Sequence, residues 1–132
     1  MRNKKFYSGV FIIAALYDFI LGITFFLFYK PIYAMFNMPL PQEPAYLHAA
    51  AGFVFAQGLL YYYVYKDLKR NVDIVKVGLL YKFVYIGVAI YYIAINQIPH
   101  PTYPVFALLD IVFVWLFILY LKDYKSIFPN SE

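Results

Sequence analysis

Long apolar runs alternate with short polar connections along this chain, and the runs extend from Phe6 to Tyr29, Ala45 to Tyr65, Ile74 to Ile95 and Tyr103 to Leu121. Each is about the 20 mostly apolar residues that a helix needs to cross a hydrocarbon core. The pattern predicts an all-α integral membrane four-helix bundle forming a single domain over residues 1–132. The first run follows Arg2, Lys4 and Lys5 as a signal peptide would. Its length, its Asp18 and the lack of a small-residue cleavage site predict that it stays in place. The third run contains Lys76 and Lys82. It still counts as a span, because leaving it out would put two positively charged segments on opposite sides of the membrane.

The connections have two distinct characters. Lys30 to Pro44 and Asn96 to Thr102 border or include seven of the eight prolines, counting Pro104 just beyond, whereas Lys66 to Asp73 has none. Proline fixes its own backbone angle and lacks a donor, so the two proline-rich loops should form a stiff cap, with Pro44 and Pro104 opening helices. Within the first of them, Pro31 to Phe36 is apolar enough to lie in the interface as a short helical turn. Nine of the eleven basic residues (Arg2, Lys4, Lys5, Lys66, Lys69, Arg70, Lys76, Lys122 and Lys125) fall on the other side. This asymmetry places both termini in the cytoplasm. Tyr61, Tyr62, Tyr63 and Tyr65, next to Lys66, read as an aromatic belt at that interface.

Composition agrees with the pattern. The chain is 64% hydrophobic, 23% aromatic and 14% charged, against about 45–50% apolar and 25% charged in soluble domains. Localisation is therefore expected to be multi-pass in a cell membrane, with the lipid bilayer as first partner. A net charge of +4 follows from membrane orientation, and no nucleic acid is expected as a partner. With no cysteine, disulfides, thiolate metal sites and dithiol redox chemistry are excluded.

Two aspartates stand where a bilayer tolerates few. At about 1.5 Å rise per residue, Asp18 and Asp110 each lie about 18 Å from the basic side and so share a level. Intramembrane carboxylates mark a candidate site by default. By the same rise, Gln57 and Lys82 form a layer about 9–12 Å from that side, and His48 sits near the proline-rich cap. Helical spacing puts Gly78, Lys82, Tyr85, Ala89, Tyr92 and Asn96 on one stripe, expected to face protein, and Ala15, Asp18 and Gly22 on another. Ala45, His48, Ala49, Gly52 and Ala56 make a third stripe of small residues, expected to face protein. The candidate ligand-binding set is Asp18, Asp110, Lys82, Gln57, His48 and Tyr85.

Each of these residues also has a plainer duty. The acids can fix packing through hydrogen bonds or a pair with Lys82. Lys82 can snorkel to the headgroups, His48 can simply pack, and His100, between Pro99 and Pro101, reads as a solvated loop residue. No phosphate loop, nucleophile elbow or His-Glu-x-x-His motif occurs, so no catalytic residue is assigned. No metal-ligand spacing occurs and no cofactor is assigned.

The Tyr17-Asp18 pair followed by Gly22, Gly52 and Gly58 in the second run, Ile98-Pro99, and Asp110 in the last run resemble the pattern of small DoxX-like bacterial membrane proteins. The likeness covers nearly the whole chain. It implies a four-helix fold and, through the link of the family's namesake to a thiosulfate:quinone oxidoreductase, a quinone-facing membrane subunit. Three functions stay open. The first is a binding or transport-like protein with an acidic intramembrane pocket for a small lipophilic or cationic molecule. The second is an enzyme acting on a quinone, sterol or isoprenoid-like substrate, and the third is an accessory or structural subunit. A chain of this size is also compatible with a homodimer, which no sequence feature fixes.

Overall fold

The computed structural model describes residues 2–130; Met1 and the last two positions of the expected 1–132 domain lie outside them. Five helices and no strand occur among the described residues: α1 (Lys4–Leu27), α2 (Tyr29–Met35), α3 (Pro44–Lys66), α4 (Val72–Ala94) and α5 (Tyr103–Ile127). Three of them, α1, α4 and α5, are long and apolar enough to cross a membrane. Such helices are the mark of a membrane protein. The fourth long helix, α3, has 23 residues, but it is less apolar, carrying His48, Gln57 and a run of tyrosines.

Local chemistry sets the boundaries. Asn3 caps α1 by accepting from the Phe6 N–H at 3.0 Å, which satisfies one donor the helix start leaves open. Pro44 and Pro104 occupy the first turns of α3 and α5, where a missing N–H costs nothing. The first run is interrupted after Leu27, and the interfacial turn expected from Pro31 is the helix α2. Both α2 and α4 end on an asparagine in the left-handed region, Asn37 at φ 53° and Asn96 at φ 57°. In each, that residue and the next donate back to the last turn, as Asn37 to Ala34 and Met38 to Tyr33. This is the Schellman closure, with asparagine taking the role usually given to glycine.

The helices associate as two close pairs, α1 with α3 and α4 with α5. Glycine permits the first pairing. A Cβ on Gly22 would stand 2.8 Å from the Ala51 carbonyl oxygen, and one on Gly58 would stand 3.0 Å from the Ala15 carbonyl oxygen. Backbones at that distance leave room for nothing larger. The stripe of α3 turned to the protein is therefore Ala51, Gly58, Tyr61 and Val64. The small-residue stripe expected there is corrected: Ala45, Ala49 and Ala56 are exposed, with His48 and Gly52 only half-buried. Small size identified a face able to pack, but two other glycine contacts decided the rotation.

The pairs meet tightly at one end. Tyr7, Phe11, Tyr61, Val64, Val75, Phe117 and Tyr120 are fully buried there. Their rings interlock at centroid distances of 5.0 Å for Phe11 with Phe117, 5.1 Å for Phe11 with Tyr120 and 5.2 Å for Tyr61 with Phe117. Tyr61 is thus a core residue and not part of an interfacial belt, while Tyr62, Tyr63 and Tyr65 are exposed. The same end carries the basic residues and its own polar fastenings. Tyr7 donates to Asp123 at 2.5 Å, Arg2 pairs with Asp123 at 2.9 Å, and Tyr124 donates to the Lys69 carbonyl at 2.6 Å. Tyr120 donates to the Leu68 carbonyl. The turn between α3 and α4 is thereby bolted to the end of α5.

Candidate functional site

Above that aromatic floor the two pairs part and enclose a cavity of about 360 Å³. Its closed bottom is polar. Lys82, fully within α4, extends its ammonium to Asp110 of α5, with Nζ 2.9 Å from Oδ1. The Lys82 side chain is 3% exposed and that of Asp110 13%. The rings of Phe113, Tyr61 and Phe117 surround Nζ at 5.0, 5.4 and 5.8 Å. Their electron-rich faces help to hold a desolvated cation. Lys82 therefore does not snorkel, and its head reaches the level of the carboxylates instead of marking a lower layer.

Asp18 enters from α1 across the same cavity and is 3% exposed. The close approach at Gly22, one turn further on the same face, is what brings α1 near enough for this. Unlike Asp110, Asp18 has no hydrogen bond and no ion pair among the described residues, and its Oδ2 is buried without a partner. The Tyr17 hydroxyl beside it is buried without a partner as well. Unsatisfied polar groups at such depth are costly and point to something else that completes them. Gln57 of α3 and Tyr85 of α4 line the cavity, and Tyr85 donates to the Tyr103 carbonyl at 3.0 Å.

Five of the six candidate residues, Asp18, Asp110, Lys82, Gln57 and Tyr85, thus border one cavity. His48 does not. It lies against the rings of Phe26 at 5.0 Å and Tyr29 at 5.2 Å, outside the lining. The rotation of α3 onto Ala51 and Gly58 is what carries His48 away. His100 is corrected in the opposite sense. It is 3% exposed, lines the cavity and packs against Phe25, Tyr33 and Phe36 at 5.1, 5.1 and 5.6 Å. Its Nδ1 accepts the Thr102 N–H at 3.1 Å and also meets the Thr102 hydroxyl. This turn holds the imidazole neutral and inward, and burial pushes its pKa below the ordinary 6.5.

The far end of the cavity is built by α2 and the proline-rich loops, through Tyr33, Pro41, Glu43, Pro99 and Thr102. Tyr46 of α3 and Tyr81 of α4 are the conspicuously exposed members of the lining, at 76% and 46%. Glu43, Ala50 and Pro99 of the lining are exposed as well. No His, Cys, Asp or Glu cluster suited to a metal ion occurs among the described residues. No protein family, no curated protein and no solved structure matches the chain.

Proposed function

We propose that the protein is an integral membrane binding or transport-like module whose acidic cavity takes a small lipophilic or cationic molecule. In this reading α1, α3, α4 and α5 cross the bacterial cytoplasmic membrane as a four-helix bundle, α3 accepting its polar residues because they turn toward the cavity or an interface. Both termini face the cytoplasm, since nine of eleven basic residues gather at the closed end. The exposed lining residues Tyr46 and Tyr81 then face the acyl chains, and a ligand enters from the bilayer.

The observation that carries this reading is Asp18. A carboxyl group buried at the floor of a roomy cavity, with a second carboxylate already paired to the lysine beside it, is not explained by packing alone. Largely apolar walls with a few converging polar groups are the usual form of a small-molecule site. Thermal stabilisation of the purified full chain by a panel of quinones, sterols, isoprenoids and lipophilic amines tests it. At least one compound should stabilise the wild type, and Asp18→Asn or Asp110→Asn should diminish the shift. Equal shifts in all three proteins would reject the cavity as the binding site.

A further inference from the structure

The charges on the cavity wall are unbalanced. Asp18, Asp110 and Glu43 line it, against Lys82 as its one Lys or Arg among the described residues. Yet the chain as a whole carries +4, with eleven basic residues against seven acidic ones. Lys82 is committed to Asp110 by a direct 2.9 Å contact. Asp18 is left facing an apolar cavity with neither an ion pair nor a hydrogen bond among the described residues.

We infer that the cavity selects a lipophilic monocation of the ammonium class, whose charged nitrogen is neutralised by Asp18 while its apolar body fills the space toward α2. This rests on the binding reading above and narrows it to one charge type. The floor already demonstrates the chemistry it would use. The Lys82 ammonium is held there by one carboxylate and three aromatic rings. On the other wall the lining offers the Asp18 carboxyl group, which has no ion pair of its own among the described residues, with the adjacent Tyr17, and Tyr81 and Tyr85 border the same cavity. Tyrosine faces attract a desolvated cation, and the attraction grows as water is excluded. The Tyr17 oxygen, which has no hydrogen-bond partner among the described residues, adds an electron-rich atom that a cation can approach. Glu43 at the far end places a further negative charge along the cavity, which raises the local concentration of cations over neutral compounds. A neutral hydroxyl compound would leave the imbalance in place.

The test uses three ligands on one dibenzyl frame: dibenzyldimethylammonium, its uncharged carbon isostere dibenzyldimethylmethane, and the smaller alcohol dibenzylcarbinol. Affinity for the full chain is measured in nanodiscs of zwitterionic lipid, after subtracting partition into discs without protein. The ammonium should bind the wild type at least about tenfold more tightly than either neutral compound. Asp18→Asn should remove about tenfold of the cation's affinity and move that of the isosteres by less than about twofold. Equal binding of the charged and uncharged isosteres to the wild type, or tighter binding of the alcohol, would overturn the proposal while leaving the cavity as a binding site. That comparison needs no variant, so it decides the matter even if Asp18→Asn fails to fold. Absence of saturable binding by all three, together with no stabilisation by the wider panel, would remove both readings.

Discussion

The two ends of this molecule are built from the same residue types and do opposite things with them. At the closed end, aromatic side chains from α1, α3 and α5 interlock without a gap, and hydroxyls such as those of Tyr7, Tyr120 and Tyr124 each reach an acceptor. At the open end the tyrosines of α1, α3 and α4 stand around a cavity, and the Tyr17 hydroxyl has no hydrogen-bond partner among the described residues. Within a membrane, helices gain little from apolar burial, because lipid is as apolar as the core, and association depends on fit and on polar contacts. The closed end satisfies both conditions. The open end satisfies them only in places, through Tyr85 on the Tyr103 carbonyl and His100 among its three rings, so the rest of its shape is carried by the closed end, the glycine contacts and the proline-stiffened loops. The Lys82–Asp110 pair lies at the border, with aromatic rings below it and the cavity above.

The border should be the most sensitive point. Lys82→Met leaves Asp110 buried without its counter-ion and close to a second carboxyl group, a loss of about 3–5 kcal/mol by the usual cost of breaking a buried pair. Replacing both partners, as Lys82→Met with Asp110→Leu, should recover most of it, since no lone charge is then left. Thermal unfolding of the detergent-solubilised chain reads both variants; a single variant as stable as the double would show that the pair is not what joins the halves. Truncation separates the halves themselves. Phe117→Ala, in the filled end, should cost about 3 kcal/mol, whereas Leu21→Ala, on the cavity wall, should cost less than about 1 kcal/mol because it enlarges a space that already exists. Comparable losses at the two positions would mean that the open end is packed as tightly as the closed one.

The glycine contacts rank next. Gly22→Ala places a methyl 2.8 Å from the Ala51 carbonyl oxygen, and the separation of α1 from α3 needed to admit it should cost about 2 kcal/mol. It should also draw Asp18 away from the cavity floor. Gly87→Ala, where a Cβ meets nothing within 4 Å, is the control and should be neutral or slightly stabilising. If both variants unfold alike, close approach is not what holds the first pair.

Much of this contrast is legible in the amino-acid sequence. The four runs, the proline-rich cap, the gathering of basic residues and the inward stripes around Asp18 and Lys82 all come from periodicity and from the cost of charge in lipid, although the far end of the second stripe, Tyr92 and Asn96, is exposed. What is not legible there is tertiary. The rotation of α3 depends on which glycine meets which backbone, and Gly22 with Gly58 outweighs the longer run of small residues that carries His48. The reach of Lys82 depends on a rotamer, and rise per residue gives only the height of its Cα. The burial of His100 comes from its hydrogen bonds with Thr102 two positions on, a local turn that a proline-flanked histidine does not announce. The left-handed asparagines are a usable signal, since Asn37 and Asn96 follow directly on apolar runs, as helix-ending residues do.

His100 also supplies the mildest test of the comparison, through pH. In the folded chain its ring sits among Phe25, Tyr33 and Phe36, with Nδ1 accepting from Thr102, and burial lowers its pKa from 6.5. An unfolded chain takes up that proton near the ordinary value, while the folded chain does so only at lower pH. Between the two, the unfolded state holds more protons, so stability declines as pH falls below about 6.5, by at most about 1.4 kcal/mol per pH unit, and is unaffected by this group above it. Protonation would also turn Nδ1 from acceptor to donor against the Thr102 N–H, which adds to the same sign. The decline should be smaller in His100→Gln, and hydrogen exchange should locate it in α2 and the loop before α5, with the amides of Phe11 and Phe117 unchanged. A wild type as stable at about pH 5 as at about pH 8, or an acid loss that begins at the closed end, would show that the neutral imidazole does not hold the open end together.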